Sequence, residues 1–351
     1  MSLHPSFIRR RFTIRALGGR IGFSIDKRLL LACSVLFTLA AAVLMAALVS
    51  GQLRIPVMDV IDVLIGNGQR RTRLVVLEWR LPRAVAAALF GALLGLGGAV
   101  FQSITRNPLG SPDVVGFDAG AYTGAILAIT FAGGGWLILA GSAIAGGLLT
   151  ALAVYLLTWR NGIQGFQLIV VGIGVSAMLT SANHWILLKS TLSTAMAANT
   201  WGMGTLAKVN SQQLMPILWL AVPVIVCALF LSRPLRLMEM GDARARALGI
   251  KVETVRLSLM ALAIVATALV TAIAGPIPFV ALAAPPIAHV ITRTAGTSLA
   301  ASMATGALLL SAADYAAQHG FAPIQLPVGV VTLCIGGTYF LWLIIKEARR
   351  T

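Results

Sequence analysis

Charge is scarce in this chain, and acid is the scarcer sign. Only 11% of the 351 residues are charged, and 11 Asp and Glu stand against 27 Lys and Arg. Soluble domains carry about 25% charged residues, so this chain could not clothe a water-exposed surface. Histidine and cysteine are equally thin. His4, His184, His289 and His319 are far apart, and Cys33, Cys227 and Cys334 sit singly inside apolar runs. No CxxC and no His pair at i, i+4 exists, so no metal site is expected and the thiols read as small hydrophobes. No GxSxG and no Walker A pattern occurs. The chain therefore brings no catalytic residues, binds no ATP by that route and needs no cofactor of its own. Aromatic residues do not interleave with the basic ones, which argues against nucleic acid despite the net charge of +16.

What is abundant is apolar length: 58% of residues are hydrophobic. A membrane-spanning helix takes roughly 20 apolar residues. Apolar runs at 29–49, 84–101, 114–132, 137–158, 166–188, 213–231, 256–274, 277–294, 299–317 and 327–345 predict an all-α integral membrane protein with about ten transmembrane helices. Residues 1–28 form a basic N-terminal arm ahead of a polytopic membrane domain, 29–351. The first run is read as a retained helix rather than a cleaved signal. The eighth is interrupted by Pro276, Pro278, Pro285 and Pro286, and broken helices at membrane depth survive only where protein or a cavity satisfies the freed backbone.

The basic residues orient the chain. The arm holds Arg9, Arg10, Arg11, Arg15, Arg20, Lys27 and Arg28; the 232–256 loop and the C-terminus hold further groups. With both termini cytoplasmic, most basic residues fall inside, as the positive-inside bias requires. The arm reads as an anchor held by anionic membrane lipid. A cluster from Arg54 to Arg83 falls outside and runs against the bias.

Polar groups inside the spans are few. Asp118 and Asp314 lie in or near them, too sparse for the proton relay of a secondary carrier, although an intramembrane carboxylate invites a functional reading. Asn183 and His184 line a path or bond between helices, and the second reading is favoured. Small residues such as Gly91, Gly95, Gly97, Gly98, Gly146 and Gly147 allow close helix approach.

A conduit with no ATP site needs a surface that receives force. The longest inner loop, 232–256, contains a short helical stretch from Asp242 to Leu248 ending at Gly249, a plausible C-cap. Ala243, Ala245 and Ala247 keep it slim enough to enter a partner's cleft, and Arg244, Arg246 and Arg256 carry charge for docking. Composition alone leaves a solvated loop helix equally open. On the other side, Glu78-Trp79-Arg80-Leu81-Pro82-Arg83 precedes the second span. Arginine suits bidentate pairing with carboxylates, so an acidic soluble receptor fits there, as does snorkelling to lipid headgroups.

These stretches carry a resemblance. Residues 79–121, WRLPRAVAAALFGALLGLGGAVFQSITRNPLGSPDVVGFDAGA, resemble the signature of the FecCD family of permeases. WGMGTL at 201–206 resembles its W-x-x-G-S-L motif with Thr205 in place of Ser, and GDARARALGIKVETVR at 241–256 resembles its coupling loop. GPIPFVALAAP at 275–285 and QLPVGVVTLCIGGTYFLWLI at 325–344 complete the likeness past the arm. EWRLPR, RNPLGSPDVVGF, WRNGI and VGIGVSAML suit the ferric enterobactin subgroup. The resemblance implies the type II fold of ATP-binding cassette importer permeases in a bacterial cytoplasmic membrane. Its implied partners are two ATPase subunits, a second permease and an extracytoplasmic siderophore-binding protein; haem and vitamin B12 are the family's other cargoes. By position it implies receptor docking for Arg80 and Arg83, and ATPase coupling for Gly241, Asp242, Ala243, Arg244, Ala247, Leu248, Gly249 and Arg256. Two departures stand out. Pro286 and His289 replace a His and an Arg of the family, and Gln318 stands where many members have a third docking arginine.

Overall fold

The computed structural model describes residues 11–16, 21–51, 53–113, 116–133, 135–159, 165–294, 296–321 and 324–348. Arg9, Arg10 and Arg20 of the arm, Arg160, and the terminal Arg349 and Arg350 lie outside the described residues. The helices are α1 (Lys27–Val49), α2 (Val57–Leu64), α3 (Arg70–Arg73), α4 (Leu81–Thr105), α5 (Phe117–Phe131), α6 (Trp136–Thr158), α7 (Gly165–Lys189), α8 (Leu192–Gly202), α9 (Ser211–Glu239), α10 (Asp242–Ala247), α11 (Val252–Ala274), α12 (Val280–Thr292), α13 (Leu299–His319) and α14 (Val328–Ala348).

Each predicted span coincides with a helix. Among the described residues seven helices are long and apolar enough to cross a bilayer, and three shorter apolar stretches, Phe117–Phe131, Val280–Thr292 and Val328–Tyr339, fill the remaining positions. Two of the short ones begin at breaks: Gly116 at φ 96° precedes α5, and Phe279 at φ 69° precedes α12. Pro276 and Pro278 supply no N–H at the second break, so the chain there is not continuous helix.

Two boundaries differ from the sequence reading. The second span starts earlier, because α3, a π-helical stretch Leu74–Arg80 and α4 run on as one 36-residue helix. Pro82 cannot donate to the preceding turn, and a π-helical turn absorbs that lost bond. Thus EWRLPR is helix, not loop. Likewise α9 runs eight residues past 231 despite Pro216, Pro223 and Pro234, so the inner loop is shorter than 232–256.

The bundle is organised on α4, whose apolar stretch is the most buried. A Cβ at Gly91 would strike the Gly306 carbonyl, and one at Gly95 the Ser302 carbonyl. Hence α4 and α13 touch backbone to backbone, and Gly124 does the same for α5 against Ser142 of α6. The small residues read from sequence thus serve close packing, where dispersion rather than water exclusion holds helices in lipid. The core around Phe90, Leu93, Leu96, Phe101, Leu259 and Leu310 is built on these contacts.

The basic arm contains structure that its charge did not announce. β1 (Arg11–Ala16) and β2 (Ile21–Asp26) pair antiparallel, and Asp26 caps α1 by accepting from the Arg28 N–H at 3.0 Å.

Candidate coupling and docking sites

The two candidate sites lie at opposite ends of α4. At its C-terminal end, Arg106 adopts φ 50° and donates to Asp242 Oδ1 at 2.6 Å and to the Met238 carbonyl at 3.3 Å. Asp242 Oδ2 accepts from Arg256 Nη2 at 2.6 Å, and Arg256 Nη1 reaches both Glu253 oxygens at 3.2 and 3.3 Å. Arg246 Nη2 joins Glu253 at 3.4 Å. Beside this network Glu239 accepts from Ser103 Oγ at 2.8 Å and from the Thr297 N–H at 3.1 Å. Five acids and bases, Arg106 at the end of α4 with Asp242, Arg246, Glu253 and Arg256 of α10 and α11, are thereby tied to each other, and Glu239 of α9 separately joins Ser103 of α4 to the turn before α13. Burial works against charge on Asp242, yet its hydrogen bond to Arg256 and the fields of Arg256, Arg106 and Arg246 hold its carboxyl below the usual range.

The sequence explains α10 itself. Gly241 at φ 110° and Gly249 at φ 82° bound it. The Gly249 N–H donates to the Arg246 carbonyl and the Ile250 N–H to the Ala245 carbonyl, which is a Schellman closure. The predicted helical stretch and its glycine stop are therefore found where expected. Ala245 is fully buried against Met238 and Val252, with Ile250 packed beside them. It is not part of the presented surface, since an alternating alanine set does not share one helix face. Ala243, Arg244, Arg246, Ala247, Leu248 and Gly249 are exposed, and Leu248 is 59% so. Asp242 and Arg256 act differently from that rim: Arg256 is 6% exposed and braces the helix from below.

At the other end of α4, Arg80 turns inward. Its guanidinium donates to the carbonyls of Leu48 at 2.7 Å, Val49 at 3.2 Å and Leu53 at 2.5 Å. The last turn of α1 has no basic residue of its own, so Arg80 satisfies its orphan carbonyls and the negative end of its dipole. Arg83 pairs with Asp314 of α13: Nη2 lies 2.9 Å from Oδ1 and Nε 3.1 Å from Oδ2. Gln325 Oε1 accepts from Arg83 Nη1 at 3.2 Å, and Gln318 Nε2 donates to Asp314 Oδ2 at 2.7 Å. Both arginines thus hold helix ends together, while Arg54, Arg70, Arg71 and Arg73 are the exposed members of the cluster.

Sequence reading missed Glu239, Arg106 and the partner of Arg83. The available signal was scarcity: each of the few acids beside an apolar helix needs a cation or an N–H to justify it. Asn183 is buried and its Nδ2 reaches the Ala119 carbonyl at 3.5 Å, the interhelical role expected of it, whereas His184 is exposed on α7. His289, at a departure from the family pattern, is exposed and lines a cavity of about 430 Å³ with Gln102, Thr297 and Ser302.

Residues 38–346 match the FecCD transport family. This chain belongs to the FecCD transport family. The ferric enterobactin transport system permease protein FepG of Escherichia coli (strain K12) is 46% identical over 326 residues, 93% of this chain and 99% of that one. The iron(3+)-hydroxamate import system permease protein FhuG of Bacillus subtilis (strain 168) is 34% identical, covering 90% of this chain and 97% of that one. A solved inward-facing ABC transporter of the metal-chelate type superposes with a TM-score of 0.79 at 27% identity, over 90% of this chain and 98% of its own. This FecCD chain is accordingly a permease subunit of an ATP-binding cassette transporter and not itself an enzyme; in such transporters ATP hydrolysis resides on separate subunits.

Proposed function

We propose that this permease carries a ferric siderophore of the catecholate class across a bacterial cytoplasmic membrane, driven through α10 by two ATPase subunits. The observation that carries this reading is the construction of α10. A presented rim of Ala243, Arg244, Ala247, Leu248 and Gly249 stands on an ionic brace that joins the end of α4 to α11, with Glu239 of α9 beside it holding Ser103 of α4 and the turn before α13. A rigid post on a braced base passes displacement to the helices instead of absorbing it. The end bearing α10 then faces the cytoplasm with both termini. The catecholate class rests on the 46% identity to a ferric enterobactin permease.

A second permease supplies the facing wall of the path. The least covered long helix, α7, exposes Gly174, Ala177, Thr180, Ser181 and His184 within an apolar span. Polar groups at that depth favour a protein or water partner over lipid. At the opposite end an acidic-rimmed receptor docks on the surface formed by 53–83. Arg80 and Arg83 shape that surface from within, and Arg70, Arg71 and Arg73 line its rim.

The test is uptake into proteoliposomes containing this chain, its partner permease and the ATPase, with loaded receptor outside. ATP-dependent entry of a ferric catecholate, undiminished by excess ferric hydroxamate, is expected. Entry driven by a proton gradient without ATP would replace this reading with a secondary carrier.

A further inference from the structure

At the end of the bundle remote from α10, a cavity of about 580 Å³ opens between the end of α5, the start of α6, α8, the turn before α9 and the end of α11. Its place follows from α11, which begins beside Asp242 and finishes at Ala274, whose carbonyl accepts from the Thr205 N–H at 2.7 Å. The wall that carries Trp201, Thr205 and Lys208 is fixed. A Cβ at Gly204 would strike the Pro276 carbonyl, one at Gly275 the Trp201 carbonyl and one at Gly329 the Met203 carbonyl. Trp201 also stacks on Tyr122 of α5, with ring centroids 6.3 Å apart and planes 7° off parallel. The same wall reaches the docking end: the Gly329 N–H donates to the Gly204 carbonyl at 3.1 Å, and Gln325, just before α14, accepts from Arg83.

The charge of this cavity is one-sided. Lys208 lines it together with Thr200, Thr205 and Gln213, and no acid does so among the described residues. Lys208 is exposed and has no ionic or hydrogen-bonded partner among the described residues. Thr205 Oγ1 accepts from the Ala207 N–H at 3.2 Å, which leaves its own proton free to donate. In sequence no acid occurs between Asp118 and Glu239. Asp118 opens α5 and Glu239 closes α9, whereas the cavity meets the end of α5 and the start of α9, so both acids lie a helix length away. Lys189, at the end of α7 just ahead of α8, is a second exposed cation. Ile129 and Leu139 are among the apolar walls, and a low-dielectric wall strengthens the field of a cation beside it.

We infer that this cavity is an entry subsite for anionic ferric chelates, with Lys208 as its specificity-determining residue. Ferric iron held by ionised catecholates keeps a net negative charge, whereas a ferric tris-hydroxamate core is neutral. Lys208 favours the first and is indifferent to the second. A lone cation among neutral donors attracts the chelate yet lets it leave, as a conduit requires. The inference rests on the importer reading above and adds the sign of charge that its outer mouth selects.

The test uses the assembled transporter in proteoliposomes, with receptor carrying a ferric tris-catecholate. At saturating receptor, Lys208→Gln should lower the maximal entry rate roughly tenfold and Lys208→Glu roughly a hundredfold, the order expected for removing and then reversing one charge that faces a multivalent anion. Lys208→Arg should keep most of the rate, and the receptor concentration for half-maximal entry should stay constant throughout. Entry by the unmodified chain should slow as salt rises, and entry by Lys208→Gln should respond less. Equal rates in all four proteins would overturn the inference. So would equal losses in Lys208→Arg and Lys208→Gln, which would make the role steric. A higher half-maximal receptor concentration at an unchanged maximal rate would hand the lysine to the receptor and overturn it too. Phospholipid that copurifies with the unmodified chain and is lost from Lys208→Gln, with entry unchanged, would make a lipid phosphate the occupant and also overturn it. Failure of the unmodified chain to import the catecholate under ATP would instead overturn the importer reading, a separable outcome.

Discussion

Replacing Asp242 by Asn keeps its size and removes one charge from the centre of the α10 brace. Asp242 holds two arginines at 2.6 Å, but the two arms differ in weight. The Arg106 side chain is 54% exposed, so that arm is worth at most about 1 kcal/mol. The Arg256 side chain is only 8% exposed, and a hydrogen bond between charged groups in such a place contributes about 1.5–3 kcal/mol. Glu253 still faces Arg256, so the guanidinium is not stranded and the larger penalty of a broken buried pair does not apply in full. The loss is then about 3 kcal/mol, a little over a hundredfold in the equilibrium between docked and released α10. Hydrogen–deuterium exchange over 242–250 reads it directly: protection should drop by about that factor, while α4 and α13 keep theirs. Receptor-stimulated uptake should fall in parallel. Unchanged exchange with normal uptake would refute the brace. Acid offers the same test without mutation. The folded carboxyl titrates below its unfolded value of about 3.9, so the stabilisation is complete above that pH and is lost as pH falls through the folded pKa. Protection of 242–250, corrected for intrinsic exchange, should stay level from neutrality to about pH 4 and decline only below.

Asp314→Ala should destabilise the opposite end by about 3–5 kcal/mol, because Arg83 is left with a buried charge; the double variant Arg83→Met, Asp314→Leu should recover most of it in thermal unfolding, and equal losses in both would contradict the pairing. Gly91→Leu should abolish assembly, since its side chain must enter the Gly306 backbone and overpacking costs about 1–3 kcal/mol even where neighbours can yield; a fully assembled transporter with that change would show that α4 and α13 do not touch as described.

The ten spans were legible in the sequence because lipid demands apolar length, which composition records directly. The α10 stop was legible too, since Gly249 is the residue a left-handed turn selects. The helix through EWRLPR was not, because Pro82 reads locally as a boundary and only a π-helical turn, formed in the packed helix, lets the chain pass. The roles of Arg80 and Arg83 were half legible. Their type announced carboxylate or carbonyl partners, but Asp314 lies 231 residues from Arg83 in sequence, and the Leu48 carbonyl that Arg80 takes belongs to another helix. The hairpin was hidden behind its own arginines. Charge dominates the reading of residues 1–28, while the alternation of Phe12, Ile14, Phe23 and Ile25 is a period-two signal.

Replacement of 243–248 by Gly and Ser in the purified complex puts the coupling role of α10 to its most direct test, with ATP hydrolysis and siderophore entry measured on the same proteoliposomes. The expected result is an assembled complex whose hydrolysis no longer rises with loaded receptor and whose lumen stays empty. Import at the unmodified rate, with receptor still stimulating hydrolysis, would contradict the account.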